Sequence, residues 1–332
     1  MDIRNIRELK NIAARRLRDA QDEKKIALIY AGITVALSLL VEVVCYCLEL
    51  QINQSGGLSN IGTRSFLSTL TTVLPIVQSL ALMCLELGFT ACMIRISRGL
   101  YTSPQTLRAG MPRFWAMVRS GLLMSAVYLV VAIASFYLAT MIYAITPLSN
   151  AAMDILLPLF SNTTALDSAV VIDEATAWQL VDAMEPLFIV FLILYAVLVF
   201  PITYRYRMVN YVLMDKPQAG ALMALRESKA MMRRNGFALF KIDLSVWWYY
   251  GLNILAALLC YAGVLLPLMG VTLPFSETVS YYGFYLLFLA AEFAIYYFFR
   301  NRVQLTYTLV YEALRPRENP SGGVVLGNIF QM

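Results

Sequence analysis

Residues 121–144 read GLLMSAVYLVVAIASFYLATMIYA, a stretch of twenty-four positions with no charge and no proline. A helix rises about 1.5 Å per residue and the hydrocarbon core of a bilayer is about 30 Å thick, so about twenty such residues cross it. A helix that is apolar on every side belongs in lipid or deep inside a large protein. Five more apolar runs accompany this one, at residues 26–50, 66–94, 187–203, 244–270 and 281–299. The run at 187–203 is the shortest and draws on Ala183, Met184 and Tyr204 for full length. A single core in 332 residues cannot hide them all. The composition agrees: 60% apolar and 14% charged, against about 45–50% and 25% in soluble domains. The expectation is an all-α polytopic membrane protein of six transmembrane helices. Soluble α/β and sandwich folds, disordered chains and disulfide-stapled secreted domains are excluded.

Charge placement orients the chain. Of the 26 Lys and Arg residues, all but Arg64 lie in residues 1–25, 95–119, 203–241 and 300–332. The positive-inside rule then predicts a multi-pass protein of the cell membrane with both termini in the cytoplasm. The basic N-terminal segment reads as a helix rather than a cleaved signal peptide. The net charge of +5 is concentrated at one membrane face, where anionic headgroups attract basic residues at about 1 kcal/mol each. Lipid, not nucleic acid, is the expected partner there. Arg205, Arg207, Arg233 and Arg234 are the candidate headgroup contacts, with Trp247 and Trp248 as an interfacial aromatic belt.

The basic segments carry helical periodicity. In residues 3–20, Ile3, Ile6, Leu9, Ala13, Leu17 and Ala20 form one stripe, with Arg4, Arg7, Lys10, Arg15, Arg16 and Arg18 around it. This predicts a helix lying in the headgroup plane with its apolar side down. A second basic helix is expected to open at Ser103 and Pro104, and a third near Asp215 and Pro217. Both are expected to end at glycine, in Arg119-Ser120-Gly121 and Arg234-Asn235-Gly236. Interfacial helix plus two spans, repeated three times in parallel, is the resulting pattern. Residues 145–185 hold six acids and no Lys or Arg. Their helical patches at 151–160 and 173–184 suggest an outer cap, which either covers the span ends or forms a mouth that concentrates cations or docks a protein partner. Residues 1–317 read as one membrane domain and 318–332 as a flexible tail.

Little in the chain points to catalysis. Histidine is absent, and all five cysteines lie inside apolar runs without a metal-ligand or disulfide spacing. No catalytic residue, metal or cofactor is predicted. Three acids lie well inside their spans, away from the ends: Glu42, Glu86 and Glu292. Each costs at least about 2.5–3.5 kcal/mol at the bilayer centre, so each is expected to face protein or water. They either line a path for protons, cations or a cationic solute, or stay neutral in local hydrogen bonds. No basic residue accompanies them within the six runs, which favours the neutral reading. Pro75, Pro201 and Pro267 are expected to kink or interrupt their spans.

One stretch is distinctive. It runs Tyr206, Met208, Tyr211, Leu213, Asp215 and Pro217, then Ala224, Ser228, Met231 and Met232. Asn235, Leu239, Phe240, Leu244, Ser245 and Trp248 continue it, and Tyr311-Glu312-Ala313-Leu314 follows the last span. This pattern resembles an uncharacterised bacterial integral-membrane family, the domain of unknown function nine-seven-five. It departs at Ile202, where that family has glycine after the proline. The resemblance implies a bacterial multi-span membrane protein and brings no catalytic residues. The functional expectation is a non-enzymatic, transport-like protein for a small solute, cation or lipid. A membrane scaffold or accessory subunit is the alternative, and a lipid-active enzyme a weaker one.

Overall fold

The computed structural model describes residues 5–20, 22–54, 61–161, 174–216, 218–269, 276–315, 317–318 and 324–325. Helix dominates them: α1 Ile6–Asp19, α2 Glu23–Gln54, α3 Ile61–Ser97, a 3₁₀ segment Pro104–Arg113, α4 Phe114–Ile145, α5 Leu148–Ser161 and α6 Glu174–Tyr206. Then follow α7 Val209–Asp215, α8 Ala221–Met232, α9 Gly236–Ser245, α10 Trp247–Leu268 and α11 Glu277–Ile295. A π turn, Tyr296–Arg300, joins α11 to α12 Asn301–Leu314. Arg317–Glu318 and Val324–Val325 pair as a short antiparallel ladder, which joins the end of the expected membrane domain to the stretch expected to be a tail.

Among the described residues, five helical stretches are long and apolar enough to cross a bilayer: Glu23–Asn53, Arg64–Ser97, Pro104–Ile145, Ala175–Asp215 and Val279–Leu314. A sixth arises if Gly236–Ser245 and Trp247–Gly263, bent by 63°, are counted together. The helices group into two compact units, residues 118–207 and the remainder.

In the unit of residues 118–207, the patches expected to form a cap are helical where described, as α5 and the first turns of α6. Ala139, Tyr143, Ala152 and Leu187 form its core. The Tyr143 hydroxyl donates to the Ala183 carbonyl at 2.8 Å, fixing α4 against α6. Residues 162–173 of the expected cap lie outside the described residues.

The other unit has two characters along its length. From Ile33 to Met83, α2 and α3 expose large apolar side chains, the surface lipid requires. Around α12 the packing is that of a soluble core. Val303, Leu305, Tyr307, Leu309, Val310 and Tyr311 are all buried, and Thr306 and Thr308 return their hydroxyls to carbonyls four residues back, both at 2.8 Å. Helix α1 packs on α12 and α3. Its stripe of Leu9, Ala13 and Leu17 is buried, so these residues face protein rather than lipid, a correction to the headgroup-plane expectation.

Glycine placement explains the closest contacts. Cβ atoms added at Gly88 and Gly110 would fall 1.8 Å from the Leu107 carbonyl oxygen and 2.0 Å from that of Cys84. Only glycine lets α3 and the 3₁₀ segment touch backbone to backbone, as small residues do between membrane helices. That contact, between prolines 104 and 112, sustains a 3₁₀ run of ten residues, where three or four is usual.

The expected helix ends differ. Gly121 lies inside α4, and Gly236 opens α9 behind Asn235 instead of closing a helix. The left-handed cap sits at Gly99, φ +70°. There Leu100 N–H bonds the Arg95 carbonyl at 2.9 Å and Gly99 N–H that of Ile96 at 3.0 Å, a Schellman close to α3. Ser103 precedes Pro104 as expected but makes no side-chain cap bond. Asp215 ends α7 rather than opening a helix, and Gly220 precedes α8. Pro217 lies outside the described residues. Helix α3 runs on through Pro75. The carbonyl its missing N–H leaves free, that of Thr71, faces the Cys45 thiol at 4.0 Å.

Candidate functional site

Helix α2 carries Tyr30, Thr34, Ser38 and Glu42 at successive four-residue steps, which puts all four on one face. Helix α3 adds Gln78, Glu86 and Thr90; α11, the π turn and α12 add Tyr281, Tyr285, Glu292, Tyr296, Arg300 and Gln304. These faces meet in a polar seam inside an otherwise apolar group of helices.

The bonds can be followed along it. Tyr281 donates to Glu42 Oε1 at 3.2 Å, and Tyr285 to the Ser38 carbonyl at 3.2 Å. Gln78 Nε2 donates to Ser38 Oγ at 2.9 Å. Thr34 Oγ1 returns to the Tyr30 carbonyl at 2.9 Å, and the Tyr30 hydroxyl donates to Glu86 Oε2, also at 2.9 Å. Tyr296 hydrogen-bonds Glu292. At the α12 end, Gln304 Nε2 reaches Thr90 Oγ1 at 3.4 Å.

Arg300 anchors the seam. Its Nη2 pairs with Glu86 Oε2, and its side chain is only 15% exposed. The guanidinium lies 4.5 Å from the Tyr296 ring centroid, 4.6 Å from that of Tyr30 and 5.7 Å from that of Phe89. Three aromatic faces and one carboxylate replace its water. Each such face contributes about 0.5–2 kcal/mol, offsetting a desolvation cost of several kcal/mol. The site sits on a π turn, a rare conformation that recurs at functional positions. The adjoining Asn301 Nδ2 donates to Glu23 Oε1 at 3.0 Å, tying the turn to the start of α2. Glu292 Oε2, Arg300 Nε and Asn301 Oδ1 are buried without a hydrogen-bond partner, so polar capacity within the seam is left unused.

All three predicted glutamates therefore lie on the seam, Glu86 and Glu292 at the Arg300 end and Glu42 toward the other. The expectation that no cation accompanies them is corrected. Arg300 looks like the charged edge after the last apolar run, but α11 continues into a buried α12 and carries it inside. Sequence reasoning also missed Tyr30, Ser38 and Tyr296, although the four-residue step on α2 was a readable signal.

A second polar cluster joins residues far apart in the chain. The Asp215 carboxylate, 3% exposed, pairs with Arg98 Nη2 and lies 3.4 Å from Arg315 Nη1. The Tyr311 hydroxyl donates to it at 2.8 Å, and Arg98 Nε donates to Glu312 Oε1 at 2.8 Å. Tyr211 stacks on Tyr311 with ring centroids 5.5 Å apart. These partners hold the Arg98 guanidinium more firmly protonated than usual, against the opposing pull of burial. The distinctive stretch around Asp215 and the motif Tyr311-Glu312 thus close on one another, through Arg98.

The family model described as a protein of unknown function, DUF975, matches residues 1–318. The chain belongs to the DUF975 family. No curated protein and no solved structure matches it.

The interfacial residues predicted for this DUF975 chain fall in different settings. Trp247 is exposed, whereas Trp248 packs edge-on against Phe299 at 5.1 Å. Arg233 and Arg234 are exposed between α8 and α9. Arg205 and Arg207 lie at the end of α6, with the Arg207 guanidinium 6.0 Å from the Tyr204 ring. Beside α1, a cleft of about 430 Å³ is lined in part by Arg16, Asp19, Asp22 and Tyr101. Hydrogen bonds from Lys25 and Tyr101 hold the Asp22 carboxyl below the usual carboxylate range.

Proposed function

We propose that this protein is a six-crossing carrier of the cell membrane, both termini cytoplasmic, that passes protons along the seam between α2, α3 and α11. Each pair of crossings is led by a short basic element, namely α1, the 3₁₀ segment and α8, as in a threefold parallel repeat. The observation that carries the reading is the alignment of three carboxylates with hydroxyl groups at four-residue steps on facing helices. Intramembrane acids are expensive and in pumps and transporters commonly mark proton relays. Glu42, with the Tyr281 hydroxyl on it, and Glu292, hydrogen-bonded by Tyr296, serve as the proton-holding groups at the two ends of the path. Glu86 and Arg300 form the gate. Protonating Glu86 cancels its attraction for the guanidinium and frees Arg300 from the pair.

The test is proton flux in vesicles containing the purified protein and a pH-sensitive dye. An imposed potential is expected to drive acidification above that of protein-free vesicles, and Glu42→Gln or Glu292→Gln to reduce it at least tenfold without loss of folded protein. Flux equal to protein-free vesicles, or unchanged in both variants, contradicts the reading. A second reading, a scaffold that docks a protein partner at the outer cap, is favoured by one observation: Met153, Leu157, Trp178 and Val181 are exposed on α5 and the start of α6.

A further inference from the structure

Helix α10 has 22 residues and follows α9 at a bend of 63°. Helix α9, ten residues long, therefore runs across the direction of α10 instead of extending it. Its two faces differ. Leu239 and Ile242 are buried, Tyr307 donates to Asp243, and Lys10 Nζ donates to the Ser245 carbonyl at 2.7 Å. These contacts fix α9 to α12 and α1. The opposite face bears Phe237 and Leu244, 68% and 60% exposed, and runs on to Trp247 at 68%. Lys241 lies over the Phe237 ring at 5.0 Å, and Arg233 and Arg234 are exposed one turn before. Large apolar side chains flanked by cations fit the boundary between acyl chains and anionic headgroups.

We infer that α9 is an elbow lying in the headgroup layer, where Phe237, Leu244 and Trp247 enter the acyl boundary and Arg233, Arg234 and Lys241 bind anionic phospholipid. The inference rests on the membrane reading but not on proton transfer. A photoreactive benzophenone amino acid in place of Phe237 tests it, in the full chain reconstituted into phosphatidylcholine nanodiscs with or without phosphatidylglycerol. The control is the same substitution at Leu255, 58% exposed on α10. The expected result is lipid adducts at both positions, with the yield at 237 at least threefold higher in the anionic discs and that at 255 equal in both. The triple variant Arg233→Gln, Arg234→Gln, Lys241→Gln is expected to abolish that preference. Adducts at 255 without adducts at 237, or equal yields at 237 in the two membranes, overturn the inference. Absence of adducts at both positions overturns the membrane reading as well.

Discussion

Arg300 holds the most demanding position in the molecule. Its charge stays buried because Glu86 neutralises it and the rings of Tyr30, Tyr296 and Phe89 cover it. Removing one partner of such a pair leaves the other charge uncompensated and costs about 3–5 kcal/mol when burial is complete. Glu86 retains 29% exposure, so Glu86→Gln is expected to cost about 2–3 kcal/mol in unfolding measured in detergent. Replacing both, Glu86→Leu with Arg300→Met, is expected to cost less than Glu86→Gln alone. A double variant as unstable as the sum of the singles contradicts the pairing. Glu86 was legible in the sequence because an acid in an apolar run stands out at once. Arg300 was not, because four aromatic residues followed by arginine look the same whether the helix ends there or turns inward.

Between elements, the backbone contact of α3 with the 3₁₀ segment leaves no room for a methyl group. Gly88→Ala and Gly110→Ala are each expected to destabilise by about 1–3 kcal/mol or more. Gly121→Ala, where nothing lies within 4 Å, is expected to be neutral or to stabilise by about 0.5–1 kcal/mol. Thermal unfolding in one detergent ranks the three, and equal effects would contradict the close approach. The Asp215 cluster gives a second case. Asp215→Ala leaves Tyr311, Arg98 and Arg315 without their shared acceptor, and faster amide exchange in both α7 and the end of α12 is the expected outcome. Exchange confined to α7 would show that the cluster does not couple the two. The long apolar helices were readable from hydropathy because lipid constrains every face. Helices α7, α9 and α12 were not, since partners distant in the chain cover them, α3 on α7 and α1 on α12 among them, and their own spacing says nothing about which partner that is. The glycine signals at 121 and 236 misled for the same reason: a glycine fits a helix end, an interior or a start, and only its neighbours decide.

Across the whole molecule, the segregation of Lys and Arg predicts the orientation, and labelling tests it. In a cysteine-free background, Lys229→Cys on α8 is expected to react with an impermeant thiol reagent only after the membrane is opened. Labelling of intact cells would reverse the orientation. The four-residue stripes make the larger claim, that a polar interior runs through α2, α3 and α11 while their outer faces meet lipid. Thiol accessibility decides it most directly. In the same background, Ser38→Cys on the seam is expected to react with a small charged thiosulfonate at least tenfold faster than Leu40→Cys, which faces outward at 61% exposure. Protection of both thiols to the same degree, or faster reaction at position 40, would contradict a hydrated seam and with it the proposed path.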